Sequence, residues 1–345
     1  MAICRNPNCG KENPDNNVFC KYCGRRLKEL KNSNKKPIII LIGAAALIVI
    51  LIFIKVLFGV DGQKQAKVPN NNKSKVAQNK DNGKGTDLSK NYSFVFVRGQ
   101  GNMKEIYLNN NGAIAKVTNS NAVNQYPCWS PDKSKIVFER KEGKISNIYC
   151  INSDGTGEKK LAEGYEPTWS SDGTKILFYN KDPKSISNIL YSMNPDGTGI
   201  IEKTTTKDSY YMGRYSPDGS KIALAKSSIA GSGIYIVRPD MTGSNEMSLS
   251  QKREDEPAWS PDGNKVAFVS QRDGNPEIYI VDMNKNISRL TNNLAADHSP
   301  YFTPDGRIIF TRDEVNSSNL YIIDSDGKNE AILLKDALFG AAVSK

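Results

Sequence analysis

The stretch Glu256–Ser270 reads EPAWSPDGNKVAFVS. Two apolar runs flank the group SPDG. Pro261 fixes φ at the second position of a tight turn, and Gly263 supplies the left-handed residue that closes it. The spacing predicts strand, turn, strand. In KVAFVS, residues 265–270, both alternating faces are apolar, so this strand must be covered from both sides.

The phrase returns as YPCWSPDKSKIVFER from Tyr126, EPTWSSDGTKILFYN from Glu166, MGRYSPDGSKIALAK from Met212 and SPYFTPDGRIIFTR from Ser299. The anchoring aromatics are Trp129, Trp169, Tyr215, Trp259 and Phe302, at intervals of 40, 46, 44 and 43 residues. A period in the forties with a strand pair in each unit marks a repeat architecture. A third strand follows each pair (NIYCIN, NILYSMN, GIYIVRPD, EIYIVDMN, NLYIIDSDG), then a turn and a weaker fourth strand. Four antiparallel strands per unit make one blade of a β-propeller. The turns at Asp154, Asp196 and Asp324 read as hairpin turns, because no calcium-ligand spacing follows them.

The second-strand signal occurs six times, at Phe94, Ile136, Ile176, Ile222, Val266 and Ile308. The expected fold class is therefore all-β, a six-bladed propeller over residues 92–345. The first unit lacks a WSPDG strand in front. The segment 336–345, DALFGAAVSK, is expected to supply it and to remove the exposed edges. The competing source is DLSKNY, just before Ser93.

Upstream of the repeats the composition changes. Residues 1–90 hold 17 Lys and Arg against 6 Asp and Glu, whereas residues 91–345 hold 30 against 31. The basic balance of the whole chain thus says nothing of the repeats, and a nucleic-acid partner is not expected. Ile38–Ile54 is an unbroken apolar run, long enough with its continuation to cross a bilayer as one helix over 38–58. A basic segment, 27–37, precedes it, and the dense positive charge there places the N-terminus in the cytoplasm and the repeats outside. Residues 59–91, rich in Asn, Lys, Gly and Gln, read as a flexible linker.

Four of the six cysteines lie in residues 1–26: Cys4, Cys9, Cys20 and Cys23. Cysteine pairs on two short turns can present four thiolates tetrahedrally to Zn2+, and so small a segment has little core of its own. Two disulfides would need an oxidising compartment, against the cytoplasmic placement. An iron site is a lesser alternative. ENPDNNVFCKYCG resembles the short zinc-ribbon domains at the N-termini of many bacterial membrane proteins, with a first pair wider by two residues. Cys128 and Cys150 fall on the first and third strands of one unit, too far apart for a disulfide, and are expected as buried free thiols.

With WSPDG, the apolar strand after it, and the later IY and DGTG, the array resembles the WD40-like repeats of the TolB family. The resemblance covers about 93–335, with Lys133 at a usual glycine and Ser171 at a usual proline. It implies a six-bladed propeller serving as a protein-binding platform at the cell envelope. Propellers that gate prolyl oligopeptidase-type peptidases are similar too, but no G-x-S-x-G elbow is present here.

Residues entering the first strand of each unit would form one mouth of the central channel. The candidates are Tyr126, Glu163, Glu166, Asp208, Tyr210, Arg214, Glu254, Asp255, Glu256, Asp297 and the single histidine, His298. Converging carboxylates favour a cationic partner, and tyrosines suit recognition. The expected function is a membrane-anchored, extracytoplasmic scaffold for an envelope protein or basic peptide, without catalytic residues. The alternatives are a channel enzyme of lyase or lactonase type, and a transmembrane sensor signalling through the ribbon.

Overall fold

The computed structural model describes residues 2–3, 12–13, 87–182, 187–204 and 208–344. The chain divides into two units, 1–79 and 80–345. In the first, β1 (Ala2–Ile3) pairs antiparallel with β2 (Glu12–Asn13). The four N-terminal cysteines and the apolar run 38–58 lie outside the described residues. Among those that are described, no helix is long and apolar enough to cross a membrane.

The second unit is built from antiparallel sheets. Four of them have four strands each. They are β10 (Tyr165–Trp169) to β13 (Ile201–Glu202), with β11 (Ile176–Lys181) and β12 (Asn188–Met193) between; β14 (Ser209–Tyr215), β15 (Ile222–Ser228), β16 (Gly231–Val237) and β17 (Asn245–Ser250); β18 (Glu254–Trp259), β19 (Lys265–Ser270), β20 (Glu277–Asp282) and β21 (Ile287–Arg289); and β22 (Ala296–Phe302), β23 (Ile308–Asp313), β24 (Ser318–Ile323) and β25 (Ala331–Leu334). A larger sheet takes β26 (Leu338–Ser344), β3 (Ser93–Gln100), β4 (Met103–Asn110) and β5 (Ala113–Lys116) in one half. Its other half is β6 (Val123–Trp129), β7 (Lys135–Glu142), β8 (Ile145–Asn152) and β9 (Lys159–Glu163). The halves meet at a single parallel pair, Lys104 with Val123.

The late segment does supply the missing strand. Leu338 pairs with Val97, Ala341 with Val95 and Ser344 with Ser93. The competing segment forms a 3-10 turn, Leu88–Asn91, capped by the Asp87 carboxylate. The first strands contact one another in cyclic order: β26, β6, β10, β14, β18, β22 and back to β26.

The doubly apolar strands explain this arrangement. In β19, Val266 and Phe268 enter a cluster shared with β15 and β16, while Ala267 and Val269 enter another shared with β23 and β24. In β3, Phe94 and Phe96 pack toward β23 and β24, and Val95 and Val97 toward β7. Strand alternation sends each face to a different neighbour, so the sheets stack side by side and the last packs on the first. Five phenylalanines of these second strands, Phe94, Phe96, Phe138, Phe268 and Phe310, are fully buried, each contributing about 2–3 kcal/mol.

The repeated SPDG has one hydrogen-bond pattern. Ser130, Ser170, Ser216, Ser260 and Thr303 donate their hydroxyls to Asp132, Asp172, Asp218, Asp262 and Asp305 at 2.5–2.6 Å. The same oxygens accept the amide of the strand that follows, as from Lys265 at 2.9 Å. The turn-closing residue has φ near 70° at Gly173, Gly219 and Gly263, and Lys133 takes the same conformation at 62°. Cys128 and Cys150 are buried free thiols on strands flanking β7, as expected.

Candidate binding channel

The pairings of β6, β10, β14, β18 and β22 with the strand that follows each slip once, and that of β26 with β3 slips twice. The single slips fall at Gln125/Cys128, Tyr165/Thr168, Tyr211/Arg214, Asp255/Ala258 and His298/Tyr301. Inside each of these stands one non-glycine residue in the left-handed region: Tyr126 (φ 51°), Glu166 (48°), Met212 (56°), Glu256 (55°) and Ser299 (53°). Such a conformation costs about 1–2 kcal/mol per residue and gathers at functional sites. Proline follows four of them and Gly213 the fifth. Proline has no N–H for the ladder, so the extra residue of a bulge is accommodated there.

These five residues, with Arg214 and Tyr301, line one cavity of about 40 Å3, room for roughly one water. Their backbones are tied from sheet to sheet. The Glu166 amide donates to the Glu139 carboxylate at 3.2 Å, and the Glu256 amide approaches Met212 Sδ at 3.3 Å. The Ser299 amide donates to the Glu256 carboxylate. Tyr179 donates its hydroxyl to Glu166 Oε1 at 3.2 Å, and Ser146 and Gln125 donate to Glu139.

Burial dominates the electrostatics. It pushes the Glu166 carboxyl well above the usual range, and Glu256 and Glu139 add to the rise. Glu139 is raised by the same loss of solvent. Asp255 is pushed up to about 7 by burial and then by Glu256, with Arg253, its hydrogen-bond donor, working against this. Burial would lower His298, but its bond to Asp313 at 3.2 Å, with help from Glu256, raises it overall. Glu166, Glu139 and Asp255 thus hold protons more firmly than exposed acids do.

The structure separates the sequence candidates into three groups. Tyr126, Glu166, Arg214 and Glu256 line the cavity. Asp255 and His298 stand beside it, their charges acting on each other and on Glu256. The remaining candidates are occupied elsewhere. Glu163 ends the outermost strand β9, exposed, because Gly164 makes the turn into the next sheet only after it. Glu254 is fully buried and bonded to Arg272 and Ser270. Asp297 is fully buried under a two-point bond from Arg312 at 2.7 and 2.8 Å. Asp208 pairs with Lys226 at 2.8 Å, and Tyr210 packs into the neighbouring core. The mouth is accordingly less anionic than its sequence suggests.

Glu139, Tyr179, Met212, Ser299 and Tyr301 belong to the site and were not among the candidates. A signal for Met212 and Ser299 was available: like the other three left-handed positions, each lies three residues before its anchoring aromatic, ahead of Pro or Gly. Glu139 and Tyr179 sit on second strands, where nothing local distinguishes them.

Arg214 and Tyr301 also line a second cavity, of about 280 Å3. Its other walls come from the opposite ends of the first strands, including Trp129, Trp169 and Trp259. Arg214 and Tyr301 therefore form the waist between two chambers.

Crystal structures of similar fold include TolB from Acinetobacter baumannii (19% identity, 87% of this chain and 72% of that one, TM-score 0.65). A structure assigned as TolB from Agrobacterium tumefaciens is similar as well (20% identity, 73% and 92%, TM-score 0.60). Hydrazine synthase from Kuenenia stuttgartiensis shares the fold over 74% of this chain and 48% of its own (15% identity, TM-score 0.60). Such identities speak for the fold alone. No curated protein matches the chain. Residues 7–27 match a zinc-ribbon domain, a span that takes in Cys9, Cys20 and Cys23 and begins after Cys4. Residues 88–257 and 255–339 match the TolB beta propeller domain, and with most of its length so matched the chain belongs to that family.

Proposed function

We propose that this protein is a non-catalytic binding scaffold of the bacterial cell envelope: zinc ribbon in the cytoplasm, one membrane helix, linker, and a propeller of six blades outside. The observation that carries the binding role is the belt of left-handed residues. Five successive units each hold one strained residue at a common cavity, and strain of this kind gathers at functional sites. The count of six is supported by the cyclic order of first strands and by one apolar cluster between each neighbouring pair. The non-catalytic reading is supported by the sequence, which offers a single histidine, His298, and no G-x-S-x-G elbow.

The partner is an envelope protein or peptide offering an amine or other donor to Glu166, Glu256 and Asp255. The membrane anchor rests on the run 38–58 and its basic flank. Zinc fits the donor set of Cys4, Cys9, Cys20 and Cys23, four thiolates with no position left open. Ala2, near Cys4 in the sequence, pairs with Asn13. Bound zinc would supply the cross-link that so short a segment lacks.

Cross-linking in intact cells followed by pull-down tests the reading. The Glu166→Gln, Glu256→Gln pair is expected to lose the partner recovered by the unaltered chain. Recovery at full yield would remove the channel mouth as the site. Protease treatment of whole cells tests placement, since an external propeller is digested and an internal one is spared.

A further inference from the structure

We propose that the second cavity is a binding site for a small carboxylate, with its carboxylate on Arg214 and its apolar body among the tryptophans. This goes beyond the scaffold reading and does not depend on it, because the two chambers lie on opposite sides of the waist.

The first support is space. A volume of about 280 Å3 holds roughly nine or ten non-hydrogen atoms at ~30 Å3 each. The second is the wall. Trp129, Trp169, Trp259, Tyr215 and Tyr301 surround the space, an aromatic lining of the kind that receives the body of a small ligand.

The third is an unanswered donor. Arg214 Nη1 is buried and has no hydrogen-bond partner. Among the described residues, no carboxylate comes within ion-pair distance of it. A buried guanidinium donor left bare is costly, and a carboxylate is the planar acceptor that matches it. Glu166, in the other chamber, feels the Arg214 charge but forms no ion pair with it. The serine hydroxyls around the cavity are already committed. Ser130 and Ser170 donate to the turn aspartates, and Ser171 donates to the Ser216 carbonyl. Recognition of the anion therefore falls to Arg214, with the Trp169 indole N–H as a second buried donor that has no acceptor.

All three tryptophans of the chain line this cavity, so their emission reports on it directly. Phenylacetate is titrated into the full-length protein, with phenylacetamide as the uncharged control of the same shape. A saturable change in emission is expected with phenylacetate, and binding at least about tenfold weaker with the amide. Arg214→Gln is expected to weaken phenylacetate by a similar factor. No saturation below about 10 mM overturns the site, being weaker than a chamber of this size supports. Equal response to acid and amide overturns the role of Arg214, and that comparison needs no variant to fold.

Discussion

The main-chain N–H of Ser299 donates to the side-chain carboxylate of Glu256, and both residues are the left-handed members of their strands. One strained position therefore holds the next in place across the sheet boundary. Met212 stands in the same relation to the Glu256 amide. The belt is thus coupled, and a change at one position is felt by its neighbour.

Stability is expected to fall as pH rises through neutrality. Asp255 has its folded value raised to about 7, so from about pH 4 to 7 the folded chain keeps a proton that the unfolded chain has released. His298, raised above 6.5, stabilises below that pH and ceases to do so as pH rises past its folded value. The two slopes share one sign. Asp255→Asn is expected to flatten the decline between pH 5 and 8, an effect on the order of 2–4 kcal/mol. Parallel melting curves for both proteins across that range would refute it.

Removal of residues 336–345 is expected to expose the β3 edge, where Val95 and Val97 are fully buried. A loss of about 4 kcal/mol would lower Tm by on the order of 10 °C in a domain of this size. Differential scanning of the truncated and intact proteins reads this, and an unmoved Tm would count against the closure.

Lys133 holds a turn position that glycine fills in most of the other units. Lys133→Gly is expected to stabilise by about 0.5–1 kcal/mol, the relief of a left-handed side chain less the added freedom of the unfolded chain. A shift of the denaturant midpoint upward at constant slope would show it.

Trp129 donates its indole N–H to the Ser153 hydroxyl at 2.9 Å, whereas Trp169 is left without an acceptor. The residue corresponding to Ser153 in the next unit is Pro195, which has no hydroxyl to offer. Ser153→Ala should cost about 1–3 kcal/mol by orphaning a buried donor, and Pro195→Ala should show no such loss. Chemical denaturation of the two variants separates them.

The N-terminal cysteines should bind about one Zn2+ per chain. Metal analysis of the purified protein is expected to find it, and Cys20→Ser with Cys23→Ser to abolish it. Retention of full zinc by the double variant would exclude these ligands.

The array was legible because each unit repeats a local instruction: proline, aspartate and glycine in a turn, then a strand apolar on both faces. The turn chemistry at Asp262 and the two-sided packing of Val266–Val269 follow from the phrase quoted first. The channel was harder to read. Glu254, Asp255 and Glu256 are consecutive, yet the first is bound by Arg272, the second bonded by Arg253, and only the third lines the cavity. A bulge changes which way successive side chains point, and period-2 reasoning carried through it assigns the faces wrongly. The partners that neutralise Asp297 and Glu254 come from second strands and the loops after them, where charge alone gives no sign of pairing.

The strand 338–344 pairs with residues made roughly 240 positions earlier, a contact of very high sequence separation. During synthesis the oldest sheet must wait for the youngest segment, its inner edge open to any passing strand. Until the circle shuts, that edge is the part of the fold most open to mispairing.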